Sequence, residues 1–437
     1  MASTYLTRTF QSGGNTTKWT FSAWIKKCAI TNNDDTIFSR YQSADYYTTV
    51  GFGSDQVFFY QRHAGAWGGL LETTQKFRDV NGWYHFVFVW DTGNGTADDR
   101  MKIYVNGSQI TDFGSRTNPS QDLGSTWNTA HPMEIGRHNS GNYFNGYMSH
   151  VHFCDGYAYS PTDFGETDSN GVWSIKTSPS VSYGTTGFLI LKDGNTITDQ
   201  SSNSNAWTLS GGTLTDMQDC PDNVFATMNP LDNYEQGSTF TIGNNKVEWN
   251  TNNKTNYANF AINKGKYYWE MKYANNTGGS DAMIGMSIED NRQPDDYPGH
   301  DSTAWSYYAS NGSKYNSGGS SYGDSWTTND IIGVAFDADT RTLWFSKNGV
   351  WQNSATIAEI AAGTTTNAAW TNMGTAGNFF FPCMSGYDGN KAEFNFGNGY
   401  FSTTAITSEG TNASGVGKFE YDVPTNFTAL STKGLNI

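Results

Sequence analysis

Charged residues are scarce in this sequence, and long apolar runs are missing. Charged side chains make up 15% of the 437 residues, compared with roughly 25% in typical soluble domains. No apolar run reaches the about 18 residues that a membrane-spanning helix needs. The charges are mainly acidic and sum to −15, so the chain lacks the basic surface that binds a phosphate backbone. We therefore expect neither membrane insertion nor a nucleic-acid partner.

Cysteine is also rare, and no secretory leader is visible. Cys28, Cys154, Cys220 and Cys383 are too far apart for metal-ligand spacing and too few for a disulfide framework, so we expect buried thiols. The first residues, MASTYLTRTFQSGG, have neither the basic nor the apolar region of a signal peptide. A role outside a cell would then need another exit, such as lysis by a virus.

Helical periodicity is missing too, and short aromatic or β-branched runs separated by Gly, Asn, Asp and Ser take its place, as in all-β proteins. Asp330–Trp351 contains two apolar runs around a polar turn, followed by Asn348-Gly349. Trp83–Ile110 repeats this order and places Asn106-Gly107 at the corresponding point. Asn-Gly favours the type I′ turn, in which both central residues need positive φ. The repeat predicts two antiparallel β-sandwich domains in tandem.

The first half of the chain is read as a series of strands. Trp19–Ile25 alternates, with Trp19, Phe21 and Ala23 on one face, whereas Trp83–Trp90 is apolar on both faces and predicts a central strand. These and later motifs resemble the laminin-G-like, pentraxin-related branch of the concanavalin A-like jelly rolls. The motifs are WTFSAWIK, GWYHFVFVWD, RMKIYVNGSQI, HPMEIGR and NGYMSHVHFCDGYAYSPTDFGE. The resemblance spans roughly residues 3–210 and implies a β-sandwich domain over residues 1–215.

The second half resembles a different β-sandwich family. Leu214–Asn233 is polar and lacks periodicity, which indicates a domain boundary. The motifs that follow resemble a SPRY domain, the core of the B30.2 fold, and imply such a sandwich over residues 225–437 with a C-terminal tail. They are YYWE, IGMS, DIIGVAFD, LWFSKNG, FFFPCMS and FNFG.

The C-terminal stretch carries a further resemblance. GKFEYDVPTNFTALSTKGLNI is similar to a tail that follows SPRY-like domains in virion proteins of marine bacteriophages. Those proteins also place a laminin-G-like domain in front. The resemblance implies a structural protein at the virion surface with other virion proteins as partners, and it fixes no activity.

Two sequence patterns resemble a zinc site and a hydrolase nucleophile motif. On a strand, His150, His152 and Cys154 would share a face, as a zinc site might need. Against this, a fourth ligand with suitable spacing is missing from the sequence. The family pattern also places Val151 and Phe153 in the core, which leaves the other three side chains on the opposite face. Gly319–Gly323 matches G-x-S-x-G without the strand and helix that a nucleophile elbow requires.

Glycoside hydrolysis needs a pair of carboxylates, and the strands do not offer one. Glu248, Glu270 and Glu393 each stand alone in a predicted strand. We therefore predict that the protein is not an enzyme.

Calcium is the one candidate cofactor. Laminin-G-like domains bind it through loop oxygens, which makes Asp34, Asp35 and Asp55 candidate ligands, with Asp98 and Asp99 as further donors. The alternative is that these acids belong to solvated turns.

Asn291–Trp326 is rich in aromatic residues and too long for a simple connection. We predict that its aromatic side chains form part of an outward-facing ligand surface; the alternative is that they pack the insert onto its own sandwich. The predicted ligand-binding residues are Trp305, Tyr307, Tyr308, Tyr315 and Tyr322.

The leading functional hypothesis is a noncatalytic phage virion component, either a head decoration or knob or a tail-fibre-type protein. Its rigid sandwiches would present loops to a host-surface glycan or protein, and it could assemble as a homo-oligomer. The alternatives are a carbohydrate-active enzyme or its carbohydrate-binding accessory module, and a bacterial surface adhesin.

Overall fold

The structure is a computed structural model, and it is nearly all-β, with 3% helix and 44% strand. This confirms the predicted fold class of antiparallel β-sandwiches. The chain forms two compact units, Met1–Asp216 with Cys220–Asp222, and Met217–Asp219 with Asn223–Ile437. The structure describes residues 3–10, 13–30, 33–192, 194, 196–233, 237–288 and 296–436.

The first unit has an eight-stranded and a six-stranded sheet. Its strands are β1 Tyr5–Thr9, β2 Lys18–Lys27, β3 Asp35–Ser43, β4 Tyr46–Gly53, β5 Gln56–His63, β6 Ala66–Lys76, β7 Tyr84–Asp91, β8 Met101–Val105, β9 Ser108–Gln109, β10 Phe113–Thr117, β11 Pro132–Ile135, β12 Gly146–Asp155, β13 Gly165–Thr167, β14 Trp173–Ile175, β15 Phe188–Ile190 and β16 Thr208–Gly211. The larger sheet has the order β10-β6-β5-β4-β3-β11-β1-β16, the smaller one β15-β12-β2-β7-β8-β9, and β13 pairs with β14. Short 3-10 turns occur at Ala97–Asp99 and Pro161–Asp163.

The second unit is also built from two main sheets. Its elements are β17 Ser238–Thr241, β18 Lys246–Trp249, β19 Lys254–Tyr257, β20 Lys266–Asn276, β21 Met283–Ile288, β22 Ala304–Tyr308, β23 Lys314–Tyr315, β24 Gly319–Ser320, β25 Ile331–Asp337, β26 Thr342–Lys347, β27 Val350–Trp351, α1 Ile357–Ala361, β28 Phe380–Gly386, β29 Asn390–Asn395, β30 Tyr400–Phe401, β31 Thr404–Ala405, β32 Thr428–Ala429 and a 3-10 turn at Gly434–Asn436. One sheet has the order β17-β18-β29-β20-β25-β26-β27, with β32 parallel to β20. The other has the order β19-β28-β21-β22-β23-β24, and β30 pairs with β31.

Both predicted Asn-Gly turns are present, with φ of +46° and +83° at Asn106 and Gly107 and of +49° and +79° at Asn348 and Gly349. Asn106 donates its backbone N–H to the carbonyl of His85 at 2.9 Å and accepts the His85 N–H on Oδ1 at 2.8 Å. Asn348 makes the same pair of hydrogen bonds with Ile331, at 2.7 and 2.8 Å. The same asparagine contact therefore ties each turn to the start of a core strand.

The core strand β2 is buried on both faces, although its sequence alternates. Trp19, Phe21 and Ala23 lie in the main core of the first unit. The opposite side of this sheet is covered by residues 157–183, which we call the first covering segment. Its Phe164 packs with Val87 of β7, the strand predicted to be central and apolar on both faces. The extra layer explains why polar positions of β2 are as buried as its apolar ones.

The second unit also has a covered sheet. Residues 416–429, here called the second covering segment, lie almost entirely within residues 417–437, the C-terminal stretch that is similar to a segment after SPRY-like domains in phage virion proteins. Its Phe419 and Phe427 pack with Tyr268 and Trp344, which lie on the outer face of β20 and β26. The C-terminal region is therefore an integral part of this unit.

A buried carboxylate anchors the second covering segment. Glu270 accepts the backbone N–H groups of Glu420 and Tyr421, both at 2.9 Å. It also accepts the Tyr268 hydroxyl and the Asn395 amide, both at 3.1 Å. Burial raises the pKa of Glu270 to about 7, against the lowering effect of these four donors. Such a group stabilises the fold only while all its partners stay in place.

Candidate functional site

The aromatic insert is described from residue 296 onward, and Asn291 with the residues up to 295 lies outside the described part. Trp305 and Tyr307 alternate inward along β22 into the core of the second unit, with 6% and 0% exposure. Tyr322 is 7% exposed and accepts the N–H of Phe345 at 3.2 Å. The expectation that all five aromatic side chains face outward is therefore wrong for these three. For Trp305 and Tyr307 the physical reason is strand alternation, which turns every second side chain of β22 into the sandwich, whereas Tyr322 reaches the core from the loop after β24 and bonds to β26.

Tyr308 and Tyr315 are the half-buried members of the predicted set. Their rings meet edge to face at 5.5 Å, and Tyr315 meets Tyr297 in the same way at 6.1 Å. We call Tyr297, Tyr308 and Tyr315 the tyrosine strip. The Tyr308 hydroxyl donates to Asp281 Oδ1, and burial with this hydrogen bond raises the pKa of Tyr308 to about 12. Burial also raises the pKa of Tyr297, so the Tyr297 and Tyr308 rings remain neutral contact surfaces at ordinary pH.

A small, shallow depression adjoins the strip. Residues 296–301 form its wall by crossing the outer sheet face, where Thr255 Oγ1 donates to the carbonyl of Asp296 and Ser306 Oγ to that of Pro298. His300 is exposed at the rim, with Nδ1 3.1 Å from Asp296 Oδ2. The lining residues are Thr255, Tyr257, Ser287, Tyr297, Pro298, Gly299, His300, Asp301 and Ala304. Rings beside a depression with both polar and apolar lining suit reversible binding of a ligand that also has both kinds of surface.

The zinc hypothesis is not supported by the structure. A bulge interrupts β12 between Ser149 and His152, and His150 has φ of +48°, so the expected alternation is broken. His152 is buried, with Nδ1 2.9 Å from the Tyr183 hydroxyl, and burial lowers its pKa well below the usual value. Within the described residues, no group of three or more His, Cys, Asp or Glu side chains could hold a metal ion. Cys28, Cys154 and Cys383 are buried, as predicted, whereas Cys220 is only half-buried.

Three of the five calcium candidates, Asp55, Asp98 and Asp99, form ion pairs with protein cations. Asp55 accepts from Lys27 Nζ at 2.7 Å and from Arg78 Nε at 3.2 Å, and both Asp55 and Lys27 are buried. Burial raises the pKa of the neighbouring Asp35 to about 6, and that of Asp34 is raised as well. In the loop beyond β7, Asp98 pairs with Arg116 at 2.8 Å and Asp99 with Lys102 at 2.9 Å. Within the described ranges, none of these five acids belongs to a group of three or more His, Cys, Asp or Glu side chains that could hold a metal ion.

The carboxylates considered for hydrolysis have structural partners. Glu248 pairs with Lys391 at 2.9 Å, Glu393 pairs with Lys246 at 3.0 Å, and Glu270 holds the second covering segment. The serine of the G-x-S-x-G match lies in the loop after β24, a two-residue strand. The strand-turn-helix setting of a nucleophile elbow is therefore not formed there.

Comparison with known families agrees with this architecture. Residues 2–163 match the concanavalin A-like lectin/glucanases superfamily in its laminin-G form, and residues 266–399 match the SPRY domain. The chain thus carries a laminin-G-like domain followed by a SPRY domain. Domains of both kinds are generally noncatalytic binding domains.

Similar solved structures each cover less than two fifths of this chain. The SPRY domain of human HERC1 is 20% identical, with a TM-score of 0.29, over 38% of this chain and 96% of that one. Another human SPRY domain is 14% identical, with a TM-score of 0.28, over 36% and 94%. A heptameric SAP-like pentraxin from Limulus polyphemus is 19% identical, with a TM-score of 0.27, over 36% and 72%. A search of curated proteins finds no match.

Sequence reasoning missed Tyr297 and His300. Both lie in the motif YPGH, inside the insert that the sequence had already singled out. An aromatic residue next to Pro-Gly indicates a tight, solvent-facing crossing.

Among the described residues, no helix is long and apolar enough to cross a membrane.

Proposed function

We propose that this protein is a noncatalytic structural component of a bacteriophage virion, a head decoration or tail-fibre-type protein on the particle surface. In this role it contacts other virion proteins and binds a host-surface glycan or protein. The tyrosine strip on the outward sheet face of the SPRY unit is the observation that carries the binding role. The order of the two domains and the phage-like C-terminal stretch support the virion role.

The strip suits recognition because its rings are held by a folded sheet. Tyr308 and Tyr315 lie on the paired strands β22 and β23, so little side-chain freedom is lost on binding. Tyrosine supplies a large apolar face and a polar hydroxyl, which is why it is frequent at binding surfaces. The adjacent pocket offers hydroxyl and carbonyl groups for a polar part of the ligand.

Two measurements test this proposal. Mass spectrometry of purified particles tests the virion role, and absence of the protein from particles contradicts it. Adsorption of the protein or the particle to host cells tests the strip, using Tyr308→Ala and Tyr315→Ala. Each substitution is expected to weaken adsorption about tenfold, equivalent to about 1.4 kcal/mol.

The control is Tyr400→Ala, because Tyr400 is also half-buried but lies on β30, in another sheet of the same unit. Trp305→Ala reports the cost of removing a core ring and is expected to lower the melting temperature. Normal adsorption by both strip variants would show that the insert only packs on its own sandwich.

A further inference from the structure

The first unit carries a second group of outward aromatic side chains, on the eight-stranded sheet. Tyr41 of β3 and Tyr47 of β4 are cross-strand partners whose rings stack at 6.2 Å. His138 meets both rings edge to face, each at 5.2 Å. Tyr47 also meets Trp67 of β6 at 6.5 Å. These contacts make one continuous ring surface across neighbouring strands.

Tyr60 of β5 extends this surface on the other side of Trp67. Its ring is 5.2 Å from that of Trp67. Tyr41, Tyr47, Tyr60, Trp67 and His138 are here called the aromatic platform. None of them belongs to the buried core of the first unit or is among the half-buried side chains packed against it, and Trp67 is 39% exposed. Packing of the interior of the sandwich therefore does not account for five rings at these positions.

Polar groups surround the platform. The guanidinium of Arg62 lies 4.8 Å from the centre of the Trp67 ring and donates to the carbonyl of Gly65 at 2.5 Å. The Tyr60 hydroxyl donates to Glu72 Oε2 at 2.7 Å. Ring faces next to fixed donors and acceptors match a ligand whose own surface alternates between C–H faces and hydroxyl groups.

The charges near the platform are mainly negative. Asp34 is close enough to Glu72, Tyr47 and Tyr60 to interact electrostatically with each of them. Asp45 lies beside Gly65, at the turn next to Arg62. Asp34, Asp45 and Glu72 thus lie near Arg62, and Glu134, which interacts with His138, is paired with Arg137, on a chain of net charge −15. This balance disfavours sulfated or uronic-acid polymers and favours an uncharged ligand.

We propose that the aromatic platform of the first unit binds a neutral glycan chain, with sugar rings stacked on Trp67 and Tyr47 and hydroxyl groups at Arg62 and Glu72. This inference deepens the proposed function by naming a ligand class and a second site. It rests on the binding role and is independent of the place of the protein on a particle.

The test uses the full chain on an array of neutral and anionic glycans. Binding to at least one neutral glycan is expected, and Trp67→Ala and Tyr47→Ala should each weaken it at least tenfold. Tyr157→Ala is the matched control, since Tyr157 is 41% exposed in the same unit but lies outside the platform. Melting within a few degrees of the parent protein shows that each variant folds, and Trp67→Phe should restore part of the binding.

Several outcomes overturn the proposal: no neutral glycan is bound, anionic glycans alone are bound, or both platform variants bind normally. A self-associated protein that becomes monomeric in Trp67→Ala would identify a second copy of the chain as the occupant and would also overturn it. These results are separable from the virion role, which depends on the presence of the protein in purified particles. They are separable from the tyrosine strip as well, because Tyr308→Ala leaves the platform intact.

Discussion

Replacing Gly349 by alanine tests how the Asn-Gly turn and the second covering segment depend on each other. Gly349 has φ of +79°, which costs an L-residue about 1 kcal/mol or more. A Cβ there would lie 2.5 Å from Cδ1 and 3.1 Å from Cγ of Tyr421. The backbone of Tyr421 is held by Glu270, so the ring must turn about its own side-chain bonds to make room.

The expected cost for Gly349→Ala is about 2–4 kcal/mol, the sum of the strained φ and about 1–3 kcal/mol for overpacking. For a unit of this size, that lowers the melting temperature by roughly 5–15 °C. Gly349→Val should cost more, because a β-branched residue resists positive φ most strongly. The control is Gly363→Ala, where φ is +73° and no atom lies within 4 Å of the new Cβ. That variant should lose about 1 kcal/mol, or roughly 2–4 °C.

Calorimetry of thermal unfolding gives the melting temperature of the second unit in both variants. Equal losses in Gly349→Ala and Gly363→Ala would show that the Tyr421 ring moves away at no cost. An unchanged melting temperature in both would refute the reasoning from positive φ itself.

Two further predictions concern buried polar groups. Glu270→Gln should destabilise the second unit by about 2–3 kcal/mol, because the glutamine NH2 group would face N–H and O–H donors where the carboxylate accepts hydrogen bonds. Hydrogen exchange at the Glu420 backbone N–H should then accelerate. Unchanged exchange at Glu420 would contradict this. Acid should destabilise the first unit through His85, which accepts the Trp173 indole N–H at 3.1 Å and whose pKa burial lowers to about 3. The pKa of His85 is lower in the folded state than in the unfolded state. The stability that neutral His85 contributes is therefore complete above about pH 6.5 and is lost toward pH 3. Protonation of Asp35 below pH 6 adds a smaller stabilisation of the opposite sign. A melting temperature of the first unit that stays constant from pH 7 to 4 would disprove it.

The hairpins could be predicted from sequence because their signal is local. Asn106 and Asn348 take positive φ and are each followed by glycine, and the apolar runs on either side pair in the expected antiparallel way. No distant contact is needed to choose that turn. The order of strands around each hairpin then followed the two family resemblances, and the sandwiches are as expected.

Whether the rings of the insert point toward the core or toward solvent could not be predicted as securely, because this depends on the pairing register of β22. In AWSYY, alternation places Trp305 and Tyr307 together and leaves Tyr308 on the other side. Which of these sides faces the core follows from pairing with β21, a non-local contact. The bulge at His150 shows the same limit, because one extra residue cancels a face assignment made by counting.

The two units use the same arrangement with different parts of the chain. In each, a covering segment hides the outer face of the sheet that contains the Asn-Gly turn, and a buried polar side chain beneath it, His85 or Glu270, accepts hydrogen bonds from that segment. A Cβ on Gly107 would lie 2.6 Å from Trp173, as one on Gly349 would lie 2.5 Å from Tyr421, so each turn packs against its cover. The aromatic platform and the tyrosine strip both lie on the other sheet of their unit. Covering one sheet leaves the opposite outer face for recognition, which is why the proposed ligand surfaces occupy corresponding sides of the two sandwiches.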